Sequence, residues 1–302
     1  MFRSQIPESL WQNEKLLLPP ALVGALREEL QGRALYAEAC VEDKPDSELF
    51  GGKDAEAALS HFTHRFKTSA ARVEFVALNP NGTFEPLATA LFACFLDGSV
   101  AILDIPCGSG GGLFGLLLTL VELRRHATIA RLPLEIRLLA ADISAEARAI
   151  HEAMLLRIEE VLKESGINIT SEYMEWNVTD PFSTAALMDR WLAFASASEE
   201  YLVFISAFSG FAASNAEAIA QAVRDITVRL HNKMFLLAWI EPIMKTSERL
   251  FSRVLGFLTS LFRGRPVTGC QPLEEEFKYR HPFTEQVLPG RARVVRFENF
   301  QD

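Results

Sequence analysis

Two acids and a run of glycines are the residues here whose types and spacing suit ligand chemistry. Asp104 closes the apolar run Val100-Ala-Ile-Leu-Asp104, and Ile105-Pro106-Cys107-Gly108-Ser109-Gly110 leads from it into a long apolar segment. A continuous Val/Ile/Leu run of that length reads as a strand buried on both faces. Glycines let backbone approach a ligand closely, and the helix that follows begins with unpaired N–H groups. A carboxylate at the strand's end repels a pyrophosphate but suits a cationic amino group or hydroxyls. A second acid, Asp142, ends the run Leu138-Leu-Ala-Ala-Asp142-Ile143-Ser144. Its two oxygens match two vicinal hydroxyls, although an aspartate there also suits a helix cap. It lies 34 residues after Gly108, against about 20 in a compact strand–helix–strand unit. Arg124–Pro133 accounts for the excess as an extended helix end or loop.

From Val100 onward, strand-length apolar runs alternate with helix-length periodic segments, the pattern of a parallel sheet covered on both faces. Strands are expected at Val100–Asp104, Leu134–Ala141, Ile169–Trp176, Tyr201–Ser206 and Lys233–Ile240. Helices fall near Gly111–His126, Ser144–Glu164, Ser183–Ala197 and Ser214–Leu230, the second opening on Ser144 as its cap. After Glu241-Pro242 come a helix, Ser247–Phe262, and two runs, Glu275–Arg280 and Arg291–Phe297, that pair as a closing hairpin. Before residue 99 the chain reads as helices at Ala21–Cys40, Asp54–Phe66 and Phe84–Leu96. The expected organisation is a helical extension, 1–98, ahead of an α/β domain, 99–302.

Asp104-Ile-Pro-Cys-Gly-Ser-Gly110 resembles motif I of the class I S-adenosylmethionine (SAM) dependent methyltransferases, with Pro106 standing where the family's first glycine usually is. The resemblance covers about residues 99–302. It implies a three-layer α/β/α fold on a mostly parallel seven-stranded sheet whose last strand is antiparallel. It further implies SAM as cofactor, held by Asp104, Pro106, Cys107, Gly108, Ser109 and Gly110, with Asp142 and Ile143 at the ribose. At the family's adenine position stand Asn177, as an acceptor for the amino group, and the Val178 N–H, with Asp180 as the competing acid. Ala207 and Phe208 follow strand four, where an aromatic face favours a sulfonium, and Arg65 is placed to pair with the methionine carboxylate. Asp/Asn-Pro-Pro-Tyr/Phe, the signature of amine methylation on bases, is missing at that point, and no acid/base constellation stands out. Ser209, Glu241 and His281 are the candidate bases; His61 and His64 precede the fold. In-line displacement on an activated methyl needs alignment first, and a base only if the nucleophile must lose a proton.

Other readings compete. A methyltransferase-like fold that has lost catalysis serves as a binding or assembly module, and Gly110, Gly112 and Gly115 also fit the G-x-G-x-x-G of an NAD(P)-linked oxidoreductase. At 302 residues, 49% hydrophobic and 23% charged, the chain is globular rather than disordered. Its net charge of −9 argues against nonspecific nucleic-acid binding, and favours a small-molecule or protein acceptor slightly over RNA. Arg249, Arg253, Arg263, Arg265, Arg291, Arg293 and Arg296 form a local basic exception. Four cysteines without C-x-x-C spacing indicate neither zinc nor a disulfide framework. No apolar run matches a bilayer and the N-terminus lacks a signal-peptide core, so a cytoplasmic protein is expected. Helix Ser247–Phe262 carries a broad apolar stripe that packs on the sheet or meets a partner.

Overall fold

A computed structural model describes residues 5–41, 54–96, 98–243, 252, 256 and 272–299, with the side chains of 209–214 and 299 outside that description. Except for Ser252 and Gly256, the expected helix Ser247–Phe262 lies outside the described residues, as do Arg249, Arg253, Arg263, Arg265 and Cys270.

The elements run in chain order as β1 (Trp11–Gln12), β2 (Lys15–Leu16), α1 (Pro20–Gly32), α2 (Tyr36–Ala39), α3 (Ala55–Leu78) and α4 (Glu85–Cys94). Then come β3 (Gly98–Asp104), α5 (Gly111–Arg125), β4 (Leu134–Asp142), α6 (Ala145–Glu164), β5 (Ile167–Glu175) and α7 (Pro181–Phe194). β6 (Glu200–Ser206), α8 (Ser209–Arg229), β7 (Phe235–Glu241), β8 (Leu273–Arg280) and β9 (Val287–Asn299) complete the order.

Among the described residues all nine strands join one sheet in the order β1-β2-β8-β9-β7-β6-β3-β4-β5. Seven strands were expected. The additional two, β1 and β2, come from the segment read as purely helical: Leu16 pairs with Tyr279 of β8, and Asn13 and Glu14 turn the tiny hairpin with positive φ. Strands β3 to β7 are parallel, while β9 runs antiparallel to both β7 and β8. The chain starts the parallel sheet at β3, steps outward to β4 and β5, then returns to β6 on β3's other side. That reversal leaves a crevice outside the carboxyl ends of β3 and β6, where open α/β sheets bind ligands.

Alternation along each strand feeds two separate cores. Val100 and Ile102 face one side with Leu138, Ala140 and Phe204, covered by α1, α3, α4, α5 and α6. Ala101 and Leu103 face the other with Leu139, Val203 and Trp239, covered by α7 and α8. Both faces are apolar, which is why these strands read as continuous Val/Ile/Leu.

The N-terminal segment departs most from the sequence reading. Ala21–Cys40 is two helices, because Ala34 takes a positive φ of 59° after Gly32. α3 runs twelve residues past the expected end at Phe66, to Leu78, and Asn79 caps it in the left-handed conformation. Its second half is buried on every side, Lys67, Arg72 and Glu74 included. β8 and β9 continue beyond the end of β7 and lie along this helix: Phe277 stacks on Phe75 at 4.3 Å, Tyr279 Oη meets Thr68 Oγ1 at 2.8 Å, and Arg72 Nε donates to Arg291 O at 2.9 Å. Among the described residues no helix is long and apolar enough to cross a membrane.

Candidate functional site

β3 delivers Asp104 to the crevice, and the loop after it is pinned to the neighbouring strands. Ile105 N donates to Phe204 O, Cys107 N to Ala141 O and Gly110 N to Cys107 O. The Ile105–Pro106 bond is cis. Pro106 and Gly108 are half-buried, while Cys107, Ser109 and Gly110 are buried. Burial and the neighbouring Asp142 and Asp104 carboxylates hold the Cys107 thiol well above its ordinary range, so it is inert packing.

The glycines divide into two groups. A Cβ on Gly111 would come within 2.7 Å of Phe66 O, on Gly112 within 2.5 Å of Ser206 Oγ, and on Gly115 within 3.0 Å of the Ala70 backbone. On Gly110 it would strike the Phe114 ring at 2.2 Å. These four let α3, α6 and the end of β6 close on α5. Gly108 is different: at φ 50° a Cβ there would meet nothing within 4 Å. Open space lies over Gly108.

Asp142 stands two positions beyond the residue of β4 that pairs with Asp104. Its Oδ2 accepts from Gly108 N at 3.0 Å and its Oδ1 from Ser144 N at 2.8 Å. Ser144 itself caps α6, its Oγ accepting from Ala147 N. Asp142 therefore fastens the loop to β4, leaving one further lone pair on each oxygen for a ligand hydroxyl. Burial raises its pKa, opposed by the Ser144 and Gly108 N–H bonds and by Arg148. Arg148 donates to the Asp142 carbonyl, and Ile143 is half-buried at the rim.

Asp104 turns under the loop, 1% exposed. Its Oδ2 lies 3.3 Å from His151 Nε2, and His151 Nδ1 lies 3.1 Å from Tyr173 Oη. His151 is fully buried, its ring 4.5 Å from that of Phe114. Burial and then Asp142 push the Asp104 carboxyl well above its ordinary range, and burial drives His151 down to about 3. Among the described residues no donor reaches Asp104 Oδ1. Sequence reasoning missed His151 and Tyr173. Their signal was weak: His151 stands seven residues after the cap Ser144, on the face α6 turns to the core.

After β5, Trp176 N donates to Asp142 O, and Asn177 folds back on its own loop. Asn177 Oδ1 accepts from Thr179 N at 3.1 Å and from Thr179 Oγ1 at 2.7 Å. Both lone pairs of that oxygen are thus engaged, which leaves the amide N–H₂ of Asn177 for contacts. Asp180 caps α7 through Phe182 N at 2.9 Å. The Val178 N–H meets no acceptor among the described residues.

At the end of β6, Ala207 holds a positive φ of 55°. Phe208 is buried, 6.0 Å from Trp176, and belongs to the second core. Glu241 is fully buried at the end of β7 and accepts from Phe208 N at 2.5 Å and Trp239 Nε1 at 2.8 Å. It holds the β6–α8 turn in place. His281 lies past the end of β8, buried, where its Nδ1 accepts from Phe283 N at 3.2 Å. The side chain of Ser209 lies outside the described residues. Arg65, 9% exposed, is on α3 next to Phe66, whose backbone touches Gly111. His64 Nε2 meets Glu38 Oε1 at 2.9 Å. The structure therefore ties Gly108 to Asp142 and sets Asp104 on the adjacent strand, while Glu241 and His281 are buried and accept from backbone N–H groups.

No family model matches this chain, and no curated protein does. Among solved structures, one described as "Conversion of a Disulfide Bond into a Thioacetal Group during Echinomycin Biosynthesis" is similar over 70% of this chain and 81% of its own, at 14% identity and a TM-score of 0.36. A likeness that slight bears on neither the fold nor the activity.

Proposed function

We propose that this chain binds S-adenosylmethionine across the carboxyl ends of β3, β4 and β5 and passes its methyl group to an acceptor in the cytoplasm. The observation that carries this reading is the pair Asp104 and Asp142 on adjacent strands at the switch point, with open space over Gly108 between them. Asp142 has lone pairs left for the ribose hydroxyls, and the Val178 N–H suits a ring nitrogen of adenine. Asn177 takes a different part from the one its position implied, since its carbonyl already serves Thr179. The bound sulfonium supplies an activated methyl carbon; the chain's residues align it and keep water from it. An acidic surface, net charge −9, favours a small molecule or a protein as acceptor. Residues 99–302 form the methyltransferase unit in this reading, and 1–98 brace it through α3.

A second reading, a binding or assembly module without catalysis, is favoured by the fate of the candidate bases. Glu241 and His281 are both buried and bonded to backbone N–H groups. The oxidoreductase reading rests on Gly110, Gly112 and Gly115, of which Gly112 faces Ser206 and Val73 rather than open space.

Equilibrium dialysis against labelled SAM, with S-adenosylhomocysteine and NAD as competitors, tests the reading. SAM retained and displaced by S-adenosylhomocysteine but not by millimolar NAD is the expected result; retention of NAD alone overturns it. Transfer of labelled methyl to acceptors in a metabolite and protein extract then separates enzyme from module.

A further inference from the structure

Three side chains link the floor of the proposed cofactor site to the outer strand of the sheet. Asp104 on β3, His151 on α6 and Tyr173 on β5 form one hydrogen-bonded chain of 3.3 and 3.1 Å links. Exposure rises along it, from buried Asp104 and His151 to half-buried Tyr173. Both ring nitrogens of His151 are used, and each link can run in either direction. If Asp104 carries a proton, its O–H donates to Nε2 and Nδ1–H donates to Tyr173 Oη. If Asp104 is ionised, Nε2–H donates to the carboxylate and the Tyr173 O–H donates to Nδ1. Either state leaves Asp104 Oδ2 and both ring nitrogens of His151 paired.

We propose that His151 and Tyr173 are positioning residues that let Asp104 exchange its proton for a cationic ligand group, so that binding of the SAM amino group releases one proton to water. This rests on the methyl-donor reading above. The exchange balances. As the amino cation arrives at Asp104 Oδ1, the Oδ2–H bond breaks and its proton forms Nε2–H. The Nδ1–H bond breaks and its proton goes to Tyr173 Oη, whose own proton leaves to solvent. Asp104 ends ionised, and His151 and Tyr173 end neutral.

The charged and titratable groups around His151 favour this over a proton stored on the ring. Asp142 on β4 and Glu152 on α6 draw its pKa up, yet burial outweighs both and keeps the ring neutral. Asp142 also opposes ionisation of Asp104 in the empty site. Cys107 in the loop stays a thiol, Tyr173 is held above its ordinary range by burial, and Arg148 lies nearer Asp142. From α5 and its cap the ring meets Phe114 and the backbone of Gly110, neither of them charged. A ligand cation is thus the group that makes an ionised Asp104 favourable.

Calorimetry on the full chain at pH 7, in phosphate and in Tris, reads the proton directly from the difference in heats. The expected result is about one proton released per SAM, and none for 5′-methylthioadenosine, which keeps the adenosine and sulfur but lacks the amino-acid arm. His151→Phe keeps an aromatic ring against Phe114 but gives Asp104 no partner. It should weaken SAM about tenfold and abolish most of the proton release, with 5′-methylthioadenosine changed less than about twofold. Where that variant fails to fold, Tyr173→Phe loses only a half-buried hydroxyl and should weaken SAM, and not 5′-methylthioadenosine, by about threefold. Buffer-independent heats for a SAM that does bind, or equal weakening of both ligands, overturn the proton exchange and leave the methyl-donor reading standing. Absence of any SAM heat overturns that reading, and the exchange with it.

Discussion

Asp142→Ser separates a loop fastener from a helix cap without any ligand present. Wild-type Asp142 accepts from two backbone N–H groups, Gly108 at 3.0 Å and Ser144 at 2.8 Å. A serine at 142 has a shorter reach and one oxygen, and cannot serve both. Ser144 is 2% exposed, so its N–H would be left without water as well as without a partner. Such an orphan costs about 1–3 kcal/mol. Gly108 is half-buried, and water can replace its lost acceptor, so about 0.5–1 kcal/mol is added there. The sum is about 1.5–4 kcal/mol, partly offset because Asp142 is itself a buried carboxyl whose pKa burial raises. The control is Ser144→Ala, which removes the α6 cap alone and should cost about 1 kcal/mol. Urea denaturation of the two ligand-free variants should therefore rank Asp142→Ser as the less stable, by about 0.5–3 kcal/mol. Equal midpoints, or a wild-type midpoint for Asp142→Ser, would refute the loop-fastening role.

Three further changes test the packing. Gly111→Ala places a Cβ 2.7 Å from the Phe66 carbonyl, a backbone atom that cannot swing away. Overpacking of about 1–3 kcal/mol should exceed any helix-propensity gain, and a variant more stable than wild type in thermal melts would contradict it. Arg124, 4% exposed, donates to the carbonyls of Leu132, Ser165, Phe95 and Leu96. Arg124→Met should cost at least about 3 kcal/mol by orphaning them, measured by chemical denaturation, and a loss under about 1 kcal/mol would show that they find other donors. Glu74 is fully buried with neither carboxyl oxygen bonded among the described residues, and burial and then Glu122 raise its pKa well above 4.5. The folded chain thus holds a proton that the unfolded chain sheds above pH 4.5, so this group's contribution is fullest below 4.5 and is lost as pH rises toward the folded-state value. Glu74→Met should raise stability at pH 7 by about 1–3 kcal/mol and flatten the stability–pH curve above 4.5; an unchanged slope would contradict it.

How far the sequence reaches depends on which force fixes each element. β3, β4, β6 and β7 were legible because strands buried on both faces read as continuous apolar runs, and α6 because Ser144 caps it. α3 was cut short at Phe66 because Lys67, Arg72 and Glu74 look like a solvated face, and tertiary burial overrides that local signal. β1 and β2 are two residues each, too short for any period, and exist only because Leu16 finds β8. Glycine-rich sequence announces close approach but not to what: Gly108 leaves room for a ligand, while Gly111, Gly112 and Gly115 admit a helix. Asp104 and Asp142 could be placed from strand ends alone. His151 and Tyr173 could not, because their role lies in a pairing across α6 and β5 that no local spacing encodes.

Hydrogen–deuterium exchange of the chain with and without saturating SAM tests the central claim most directly, because a ligand seated there shields the backbone of the three segments that flank Asp104 and Asp142. Slowed exchange should fall together on the loop 104–112, on Asp142–Arg148 and on the segment 176–180 containing the Val178 N–H, with NAD producing no such pattern. Protection confined to the β8–β9 ribbon or the N-terminal helices, or no protection at Val178 and the Gly108 loop, would contradict a cofactor seated at the switch point.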